Sequence, residues 1–506
     1  MTSTGNVEIE RKYSVDEATL LPSLHNLPGV RRIEQPVEHQ LEAVYFDTED
    51  LVLAARRMTL RRRTGGDDDG WHLKLPLGPD ERREIHEPLG VDPEIVPEPL
   101  MQSVRVYVRT GTLAPVARLR TRRILHRLRS SEDHVLADVS DDHVQADRLG
   151  FEPAHLAWRE WEIELVDGPA ALLDAGQAML AAVGIRPATY ASKLARALGD
   201  RYPQEEPSAP PRPTRKSPAA TALLSYLYEQ VQVLTDQDPR VRQDASDSGH
   251  KMRISTRRLR SALATYRKLL DADVVSHLRG ELKWLAGVLG PARDAQVMHQ
   301  RLNDLVAAEP TELIIGPVSQ RIDKQLGADF DAANRKALDA LNDERYFHLL
   351  DALDALLAAP PLTGLASEPA HKIVPDLIRK DWKRLRKAVR TATTTTDGAA
   401  GDTALHEVRK SAKRLRYAAE LAIPFLQKRA VRLARSTQGP QSTLGNHQDT
   451  VVARDLLHRL GVEAHLRGEN GFSYGRLHAL EQFGAADSEA RFLRAWKDFP
   501  SGSLKK

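Results

Sequence analysis

Polar and apolar side chains alternate along many short segments of the first 200 residues. Six segments show the alternation clearly: 7–13, 60–63, 71–75, 117–128, 135–139 and 158–165. A period of two is typical of β-strands, and turn-forming residues such as the Gly/Asp run at 65–70 separate several of them. The pattern predicts an antiparallel sheet or barrel, interrupted by helices at 16–27 and 169–183.

The periodicity changes after residue 218. Apolar positions then recur at helical spacing through 219–428 and 433–499, with a Thr/Ala/Gly-rich loop predicted at 391–402. A segment rich in proline, 203–217, continues neither a helix nor a strand and reads as a linker. We therefore predict an α+β multidomain chain: an antiparallel β-barrel domain at 1–202 and an all-α domain at 218–500.

The helical half contains an internal repeat. His250-Lys-Met-Arg253-Ile-Ser-Thr-Arg257-Arg-Leu-Arg260 matches His406-Glu-Val-Arg409-Lys-Ser-Ala-Lys413-Arg-Leu-Arg416. Downstream of each copy, Leu-Gly-Pro-Ala-Arg-Asp294 matches Leu-Gly-Asn-His-Gln-Asp449 at nearly the same separation. Two matched features at one spacing predict a tandem duplication, with repeats at about 218–370 and 371–500 and two packed helical bundles.

Composition narrows the possible chemistry. The 506 residues include no cysteine, which excludes disulfides, thiolate metal sites and cysteine nucleophiles. The N-terminus lacks the pattern of a signal peptide and no apolar run is long enough to cross a bilayer, so we expect a cytoplasmic protein without a membrane partner. The net charge of +3 conceals 73 basic and 70 acidic residues that cluster by sign.

Charges share one face on several predicted strands. In Glu8-Ile-Glu10-Arg-Lys12, two carboxylates and an ammonium point to the same side. Other strands repeat this spacing with the following residues: Arg61 and Arg63; His72 and Lys74; Arg82 and Glu84; Arg118, Arg120 and Arg122; Asp138 and Asp142; Glu160, Glu162 and Glu164. One such strand fits a solvated surface, but their number favours a closed barrel with a charged interior.

The residue types indicate phosphate chemistry. Arginine and lysine bind phosphate oxygens, while carboxylates hold hard cations such as Mg²⁺ or Mn²⁺. A divalent cation bridging phosphate oxygens would withdraw charge from them. No arrangement of serine, cysteine or histidine indicates a covalent intermediate, so direct attack by water is the simpler mechanism.

The first 200 residues resemble the CYTH family of triphosphate tunnel metalloenzymes. The resemblance rests on Glu8-x-Glu10-x-Lys12, on 45–48 (Tyr-Phe-Asp-Thr), on 60–63 (Leu-Arg-Arg-Arg) and on 73–74 (Leu-Lys). It implies an eight-stranded tunnel that hydrolyses triphosphate or cyclises a nucleotide. His72 and Asp138 depart from the family pattern, which often has threonine and glutamate there. Tyr45 and Asp47 serve either the site or the fold.

The resemblance also implies roles for single residues. With the same-face pattern, it gives Glu8, Glu10 and Lys12 as catalytic. Metal binding is assigned to Glu8, Glu10, Asp138, Asp142, Glu160 and Glu162. Phosphate binding in the barrel is assigned to Lys12, Arg61, Arg63, Lys74, Arg82, Arg120, Arg122 and Lys193.

The duplicated helices place their basic residues on one arc and their apolar residues on the other. This pattern is similar to the CHAD domain, a helical module associated with polyphosphate. We predict that polyphosphate contacts His250, Arg253, Arg257, Arg260, Lys383, His406, Arg409, Lys413 and Arg416. The two histidines lack a carboxylate–histidine set at ligand spacing, so we do not predict a metal there.

Four functions remain open from the sequence. The leading one is metal-dependent hydrolysis of inorganic triphosphate or polyphosphate, with the polymer captured by the helical half. Alternatives are a polyphosphate-binding or granule-targeting protein without turnover, a nucleotide cyclase, and a nucleic-acid binder. Aromatic residues are only 5% and do not alternate with the arginines, which argues against nucleic acid. The oligomeric state is not predicted.

Overall fold

The chain forms two compact units, Met1–Ser208 and Ala209–Lys506. The computed structural model describes residues 6–78, 80–150, 152–204, 209–395 and 398–499. The division between the units falls inside the predicted linker at 203–217.

The first unit is a closed antiparallel barrel, which confirms the predicted fold. Its strands are β1 (Asn6–Val15), β2 (Arg32–Ile33), β3 (Val37–Asp47), β4 (Thr59–Thr64), β5 (Gly70–Pro76), β6 (Glu81–Glu87), β7 (Ala114–Arg129), β8 (Val135–Arg148) and β9 (His155–Leu165). Eight of them close a ring in the order β7-β3-β4-β5-β6-β1-β9-β8, because β7 also pairs with β8. The short β2 is an extra strand on the end of β7.

The apolar face of the barrel points outward and is covered by helices. Two helices lie on this face, α1 (Glu98–Val108) and α2 (Ala171–Ala182), whereas α3 (Lys193–Leu198) packs against inward-facing residues such as Leu119. Trp161 and Ile163 of β9 are buried with Leu172 of α2, and Trp71 and Leu73 of β5 are buried with Leu100 of α1. Since successive strand residues face opposite sides, the charged alternates of β5 and β9 are directed into the barrel.

One predicted helix is wrong. Residues 16–27 form turns and a short 3₁₀ helix at Leu24–Asn26. Arg159 donates hydrogen bonds to the carbonyl oxygens of residues 16, 17 and 19 at 3.2, 2.8 and 2.7 Å. These carbonyls are satisfied by a guanidinium rather than by helical N–H groups, and Pro22 and Pro28 disfavour helix on either side. Helices α1 and α3 were not predicted.

The second unit is helical, as predicted. Its α-helices are α4 (Ala219–Arg242), α5 (Ser248–Thr265), α6 (Ala272–Val288), α7 (Gly290–Ala307), α8 (Val318–Asn342), α9 (Glu344–Ala358), α10 (Ala370–Thr394), α11 (Ala399–Leu421), α12 (Ile423–Leu426), α13 (Lys428–Leu466) and α14 (Phe472–Lys497). The loop predicted at 391–402 is shorter, since α10 and α11 extend into it; residues 396 and 397 lie outside the described residues.

The repeated motifs lie on equivalent helices. The first begins at His250 on α5 and the second at His406 on α11, and these two helices pack against each other. Met252 and Leu259 of α5 are fully buried, as are Val408 and Leu415 of α11. Within the ranges that the structure describes, every helix is too short or too polar to pass through a lipid bilayer.

Asp47 at the end of β3 holds the following loop. Its carboxylate accepts hydrogen bonds from the backbone N–H groups of Thr48, Leu53 and Ala54 at 2.7, 3.0 and 2.8 Å. The side chain is buried, at 1% exposure, so water cannot replace it. The structure therefore gives Asp47 a structural role.

We predict that Asp47→Ala lowers the free energy of unfolding by about 2–4 kcal/mol, because it leaves three N–H groups without an acceptor. Asp50→Ala, an exposed position in the same loop, is the control and should change little. Urea denaturation followed by circular dichroism measures both. Equal effects at the two positions would contradict the structural role of Asp47.

Candidate functional site

The barrel encloses a charged cavity of about 280 Å³, close to the smaller ligand sites of proteins, about 300 Å³. Every barrel strand contributes to its lining. The charged lining residues are Glu8, Glu10, Lys12, Arg61, Arg63, Asp67, Asp68, Lys74, Arg82, Glu84, Arg123, Arg127, Asp138, Glu162, Glu164 and Lys193. The predicted charged interior therefore exists.

Strand order separates the two signs of charge. The neighbouring strands β4, β5 and β6 carry four basic residues of the lining: Arg61, Arg63, Lys74 and Arg82. The neighbouring strands β1, β9 and β8 carry most of the acids: Glu8, Glu10, Glu162, Glu164 and Asp138. The cavity therefore has a basic wall and an acidic wall, an arrangement suited to an anion on one side and a cation on the other.

The β1 motif joins the two walls. Lys12 Nζ lies 2.5 Å from Glu10 Oε2 and 2.7 Å from Glu162 Oε1. Lys74 Nζ reaches across to Glu8 at 2.5 Å. Although burial alone would raise the pKa of Glu10, the ammonium groups of Lys12 and Lys74 hold that pKa below its usual value. Glu10 is therefore ionised and able to bind a cation at neutral pH.

Three buried carboxylates meet at the end of the acidic wall. Asp142, Glu160 and Glu162 each offer one oxygen, and these oxygens lie within 4.8 Å of one another. We call these residues the acidic trio. The Glu160 Oε1 atom is buried and lies 2.9 Å from the ammonium of Lys193. Three carboxylate oxygens this close together fit a hard divalent cation.

The basic wall brings like charges close together. Arg61 and Arg63 lie two residues apart on β4 and both face the cavity. Burial lowers the pKa of Arg63 to about 9, and the neighbouring charges of Arg61 and Arg123 act in the same direction. An anion between these guanidinium groups would relieve that repulsion, and phosphate oxygens match their geometry.

Strand β7 contradicts part of the sequence prediction. Arg120 and Arg122 lie on the outer surface of the barrel, with side chains 53% and 42% exposed. They form ion pairs with surface acids: Arg120 with Glu42 and Asp147, and Arg122 with Glu38. The alternation of side chains along β7 was predicted correctly, but the face that points into the barrel is the one opposite to Arg120 and Arg122.

The inward face of β7 carries Arg123 and Arg127 instead. Arg123 donates to both carboxylate oxygens of Asp142 at 2.8 and 2.6 Å, and also to Glu162 at 2.7 Å. Arg127 makes a similar two-point contact with Asp138 at 2.9 Å. The register of the β7–β8 hairpin could have identified these inward residues from the sequence, because Arg123 lies opposite Asp142 and Arg127 lies opposite Asp138.

Four acids that the candidate set omitted also line the cavity: Asp67, Asp68, Glu84 and Glu164. Burial raises the pKa of Glu164 to about 7, and the charge of Glu8 contributes to this shift. Glu84 contacts His72 at 3.0 Å. Burial lowers the pKa of His72 to about 4, so this histidine is neutral at physiological pH despite that neighbour.

The helical unit has a separate concentration of positive charge. Arg253 and Arg257 of α5 lie close to Arg409 and Lys413 of α11. All four side chains are half-buried, and their positive charges repel one another. We call these four residues the helical basic cluster. Arg253 has an acidic contact, Asp294 Oδ1 at 3.3 Å. Equivalent positions of the two repeats therefore build one site.

The remaining predicted helical residues are arranged differently. Arg260 lies near Arg279 of α6, and Arg416 pairs with Glu420 of its own helix at 2.8 Å. Lys383 is exposed on α10, and no contact among the described residues joins it to the helical basic cluster. His250 and His406 are both half-buried, and each has a buried Nδ1 that lacks a hydrogen-bond partner within the described ranges.

Removing Arg123 should destabilise the barrel. We predict that Arg123→Met lowers the free energy of unfolding by about 3–5 kcal/mol, since Asp142 and Glu162 would lose a buried counter-charge. Arg122→Met, on the outer face of the same strand, should change it by about 1 kcal/mol or less. Urea denaturation at several pH values measures both.

The pH dependence has a defined sign. The pKa values of Asp142 and Glu162 are held low in the folded protein by Arg123 and Lys193, against the effect of burial. Their contribution to stability is present above the unfolded-state pKa of about 4 and disappears as the pH falls. The difference between Arg123→Met and wild type should therefore be greatest above about pH 5; a difference independent of pH would contradict this origin.

Comparisons with known proteins agree with this architecture. The family model of the CYTH domain matches residues 6–197, and that of the CHAD domain matches residues 225–458. An uncharacterized protein of Mycobacterium tuberculosis is 39% identical over 492 residues, which cover 94% of this chain and 93% of that protein.

Two solved structures resemble parts of the chain. PptA from Streptomyces chartreusis is 24% identical, with a TM-score of 0.47, and the match covers 56% of this chain and 100% of PptA. The CHAD domain from the plant Ricinus communis is 23% identical, with a TM-score of 0.46, over 58% of this chain and 96% of that domain. From the two family models and the full-length relative, the chain belongs to the proteins in which a CYTH domain is followed by a CHAD domain.

Proposed function

We propose that the barrel hydrolyses phosphoanhydride bonds of inorganic triphosphate or longer polyphosphate in the presence of Mg²⁺ or Mn²⁺. The observation that carries this proposal is the cavity with one basic and one acidic wall. The CYTH domain supports a phosphoryl-transfer enzyme. Triphosphate is a compact polyanion without an apolar part, which suits a cavity whose lining is dominated by charged side chains.

The basic wall is suited to hold the phosphate chain. Arg61 and Arg63 present forked donors, and Lys74 and Arg82 stand on the next two strands. Four cations on three adjacent strands would orient successive phosphate groups along the cavity. Lys12, between Glu10 and Glu162, is placed to contact an oxygen near the acidic wall.

The acidic wall is suited to hold the cation. The acidic trio, with Glu8 and Glu10, supplies carboxylate oxygens on β1, β8 and β9. A divalent cation there would draw charge from the phosphate oxygens and so favour attack by water. The carboxylates remain ionised because Lys12, Lys193 and Arg123 hold the pKa of Glu162 well below its usual range, against the effect of burial.

For the helical unit we propose polyphosphate binding at the helical basic cluster. Like charges from α5 and α11 repel each other unless an anion lies between them. Burial lowers the pKa of Arg257, and the charges of Arg253, Arg409 and Arg260 add to this effect. A flexible chain of phosphates would neutralise several of these groups at once, and binding would weaken as salt is added.

We predict that Glu10→Gln lowers phosphate release from tripolyphosphate about a hundredfold or more, since it removes a charge that holds the cation. Glu42→Gln is the control, because Glu42 lies on the outer face and pairs with Arg120 at 3.5 Å. Release is measured colorimetrically with Mg²⁺ or Mn²⁺.

Other outcomes of the same assay separate the alternatives. Tight binding of tripolyphosphate without release by the wild-type protein would identify a binding protein. Cyclic nucleotide formed from ATP, with no phosphate released from tripolyphosphate, would identify a cyclase.

Polyphosphate binding should depend on pH through Lys413. Burial and the charges of Arg257, Arg409 and Arg253 together lower the pKa of Lys413 to about 7, against the opposing effect of Asp449 of α13. As the pH falls from 8.5 to 6.5 the ammonium form becomes dominant, and we predict roughly tenfold tighter binding of polyphosphate. Lys413→Arg, which places in this repeat the residue found at position 257, should bind tightly with little pH dependence.

Fluorescence anisotropy with labelled polyphosphate at constant ionic strength measures this change. Wild-type binding that is flat between these pH values would contradict the role of Lys413. Competition by DNA at equal phosphate concentration tests the alternative partner, since a site that responds only to charge density would bind both.

A further inference from the structure

Lys193 is held at the start of α3 with its side chain directed into the barrel. Ser192 caps the helix by accepting a hydrogen bond from the Ala195 N–H at 3.0 Å, which fixes the backbone at the first helical residue. Leu194 and Leu198 of the same helix are buried in one cluster with Tyr45 and Leu119 of the barrel strands. The helix is therefore anchored, and the flexible stem of Lys193 reaches the cavity.

The ammonium group of Lys193 lies among all three members of the acidic trio. Its Nζ is 2.9 Å from Asp142 Oδ2, 2.9 Å from Glu160 Oε1 and 2.6 Å from Glu162 Oε1. These contacts are as short as charge-assisted hydrogen bonds. A divalent cation bound by one oxygen of each carboxylate would need the same position, at about 2.0–2.1 Å from each oxygen for Mg²⁺.

The other contacts of the trio leave Lys193 as the replaceable cation that bridges all three members, because Lys12 pairs with Glu162 alone among them, at 2.7 Å. Arg123 binds Asp142 through two parallel contacts and also reaches Glu162, so its planar fork is fixed by geometry. Trp158 Nε1 donates to Glu160 Oε2 at 2.6 Å. Lys193, by contrast, is a single point charge on a four-carbon stem that can turn away without moving its backbone.

We propose that Lys193 is a built-in competitor of the divalent cation: its ammonium holds the acidic trio together and must leave before the metal binds. This inference rests on the proposed metal-dependent function and adds a regulation to the same site. Without a cation, three carboxylates so close together would repel each other strongly. Lys193 thus keeps the trio ionised and assembled, at the expense of metal affinity.

Displacement would also give Lys193 a second role. The freed ammonium remains attached to the anchored α3 and stays at the lining of the cavity. It would then be available to a phosphate oxygen, as the sequence predicted for this residue. Metal binding and phosphate binding would in this way favour each other through one side chain, because the cation releases a donor that the anion can use.

The first experiment measures Mn²⁺ affinity without any substrate, by isothermal titration of the full-length protein. We expect Lys193→Met to bind Mn²⁺ about tenfold more tightly than wild type. Arg63→Met is the matched control, because Arg63 is also a cation of the cavity but pairs with Asp68 rather than with the trio. It should change the affinity much less.

The outcomes separate the inference from the proposed function. If Lys193→Met binds Mn²⁺ no more tightly than wild type does, the proposed competition is overturned. The metal site itself is retained in that case if wild type binds Mn²⁺ and Glu162→Gln does not. The same gain in Lys193→Met and Arg63→Met also overturns the competition, because general charge would then explain both. Failure of every variant and of wild type to bind Mn²⁺ overturns the proposed function and the inference together.

A second experiment uses the wild-type protein and does not depend on the folding of a variant. Lysine amines are acetylated briefly with and without Mn²⁺, and the modification is quantified by mass spectrometry. We expect Mn²⁺ to increase the labelling of Lys193 severalfold, because the amine leaves its three ion pairs. The exposed Lys251 is the internal control. Unchanged or reduced labelling of Lys193 in Mn²⁺ overturns the proposal.

Discussion

Carboxylates buried inside a protein remain ionised only when cations lie within hydrogen-bond distance, and the barrel is organised by this requirement. Asp142 is completely buried, and Glu8, Glu10, Glu160 and Glu162 are nearly so. Each has a lysine, an arginine or an indole N–H beside it. A lone charge at such a depth would destabilise the fold by several kcal/mol. The lumen is consequently a connected ion-pair network.

Such a network is also a candidate binding site in which the charged groups are already ionised. Lys12, Lys193 and Arg123 neutralise the acidic wall, and an incoming cation can take over part of that role. The positive charges of Arg61 and Arg63 repel each other, and an incoming anion can reduce that repulsion. The same electrostatics that stabilise the folded barrel therefore support the two proposed ligands, one a cation and the other an anion.

The helical unit differs from the barrel, because the charges gathered in it are mostly of one sign. Its basic cluster is built from two repeats, and Asp294 and Asp449 supply limited compensation. The cluster is half-buried, so solvent screens the repulsion only partly, and burial together with neighbouring cations shifts the pKa values of Arg257 and Lys413 downward. This excess of positive charge supports the proposed binding of a polyanion there. The replacement of Arg257 by Lys413 in the second repeat makes the two halves unequal.

The sequence by itself determined the classes of structure and most of the site. A period of two with charged alternates gave the barrel and its interior residues on β1, β4, β5, β6, β8 and β9, because side-chain direction along a strand is set by local geometry. Duplication of the basic motif gave the paired helices α5 and α11. Tertiary structure decided what local geometry leaves open: on β7 both faces carry arginines, and only the pairing of Arg123 with Asp142 selected the inner one. It also placed Lys193 of α3 among three acids of the paired strands β8 and β9, since the docking of a helix against a barrel depends on tertiary packing rather than on neighbouring residues.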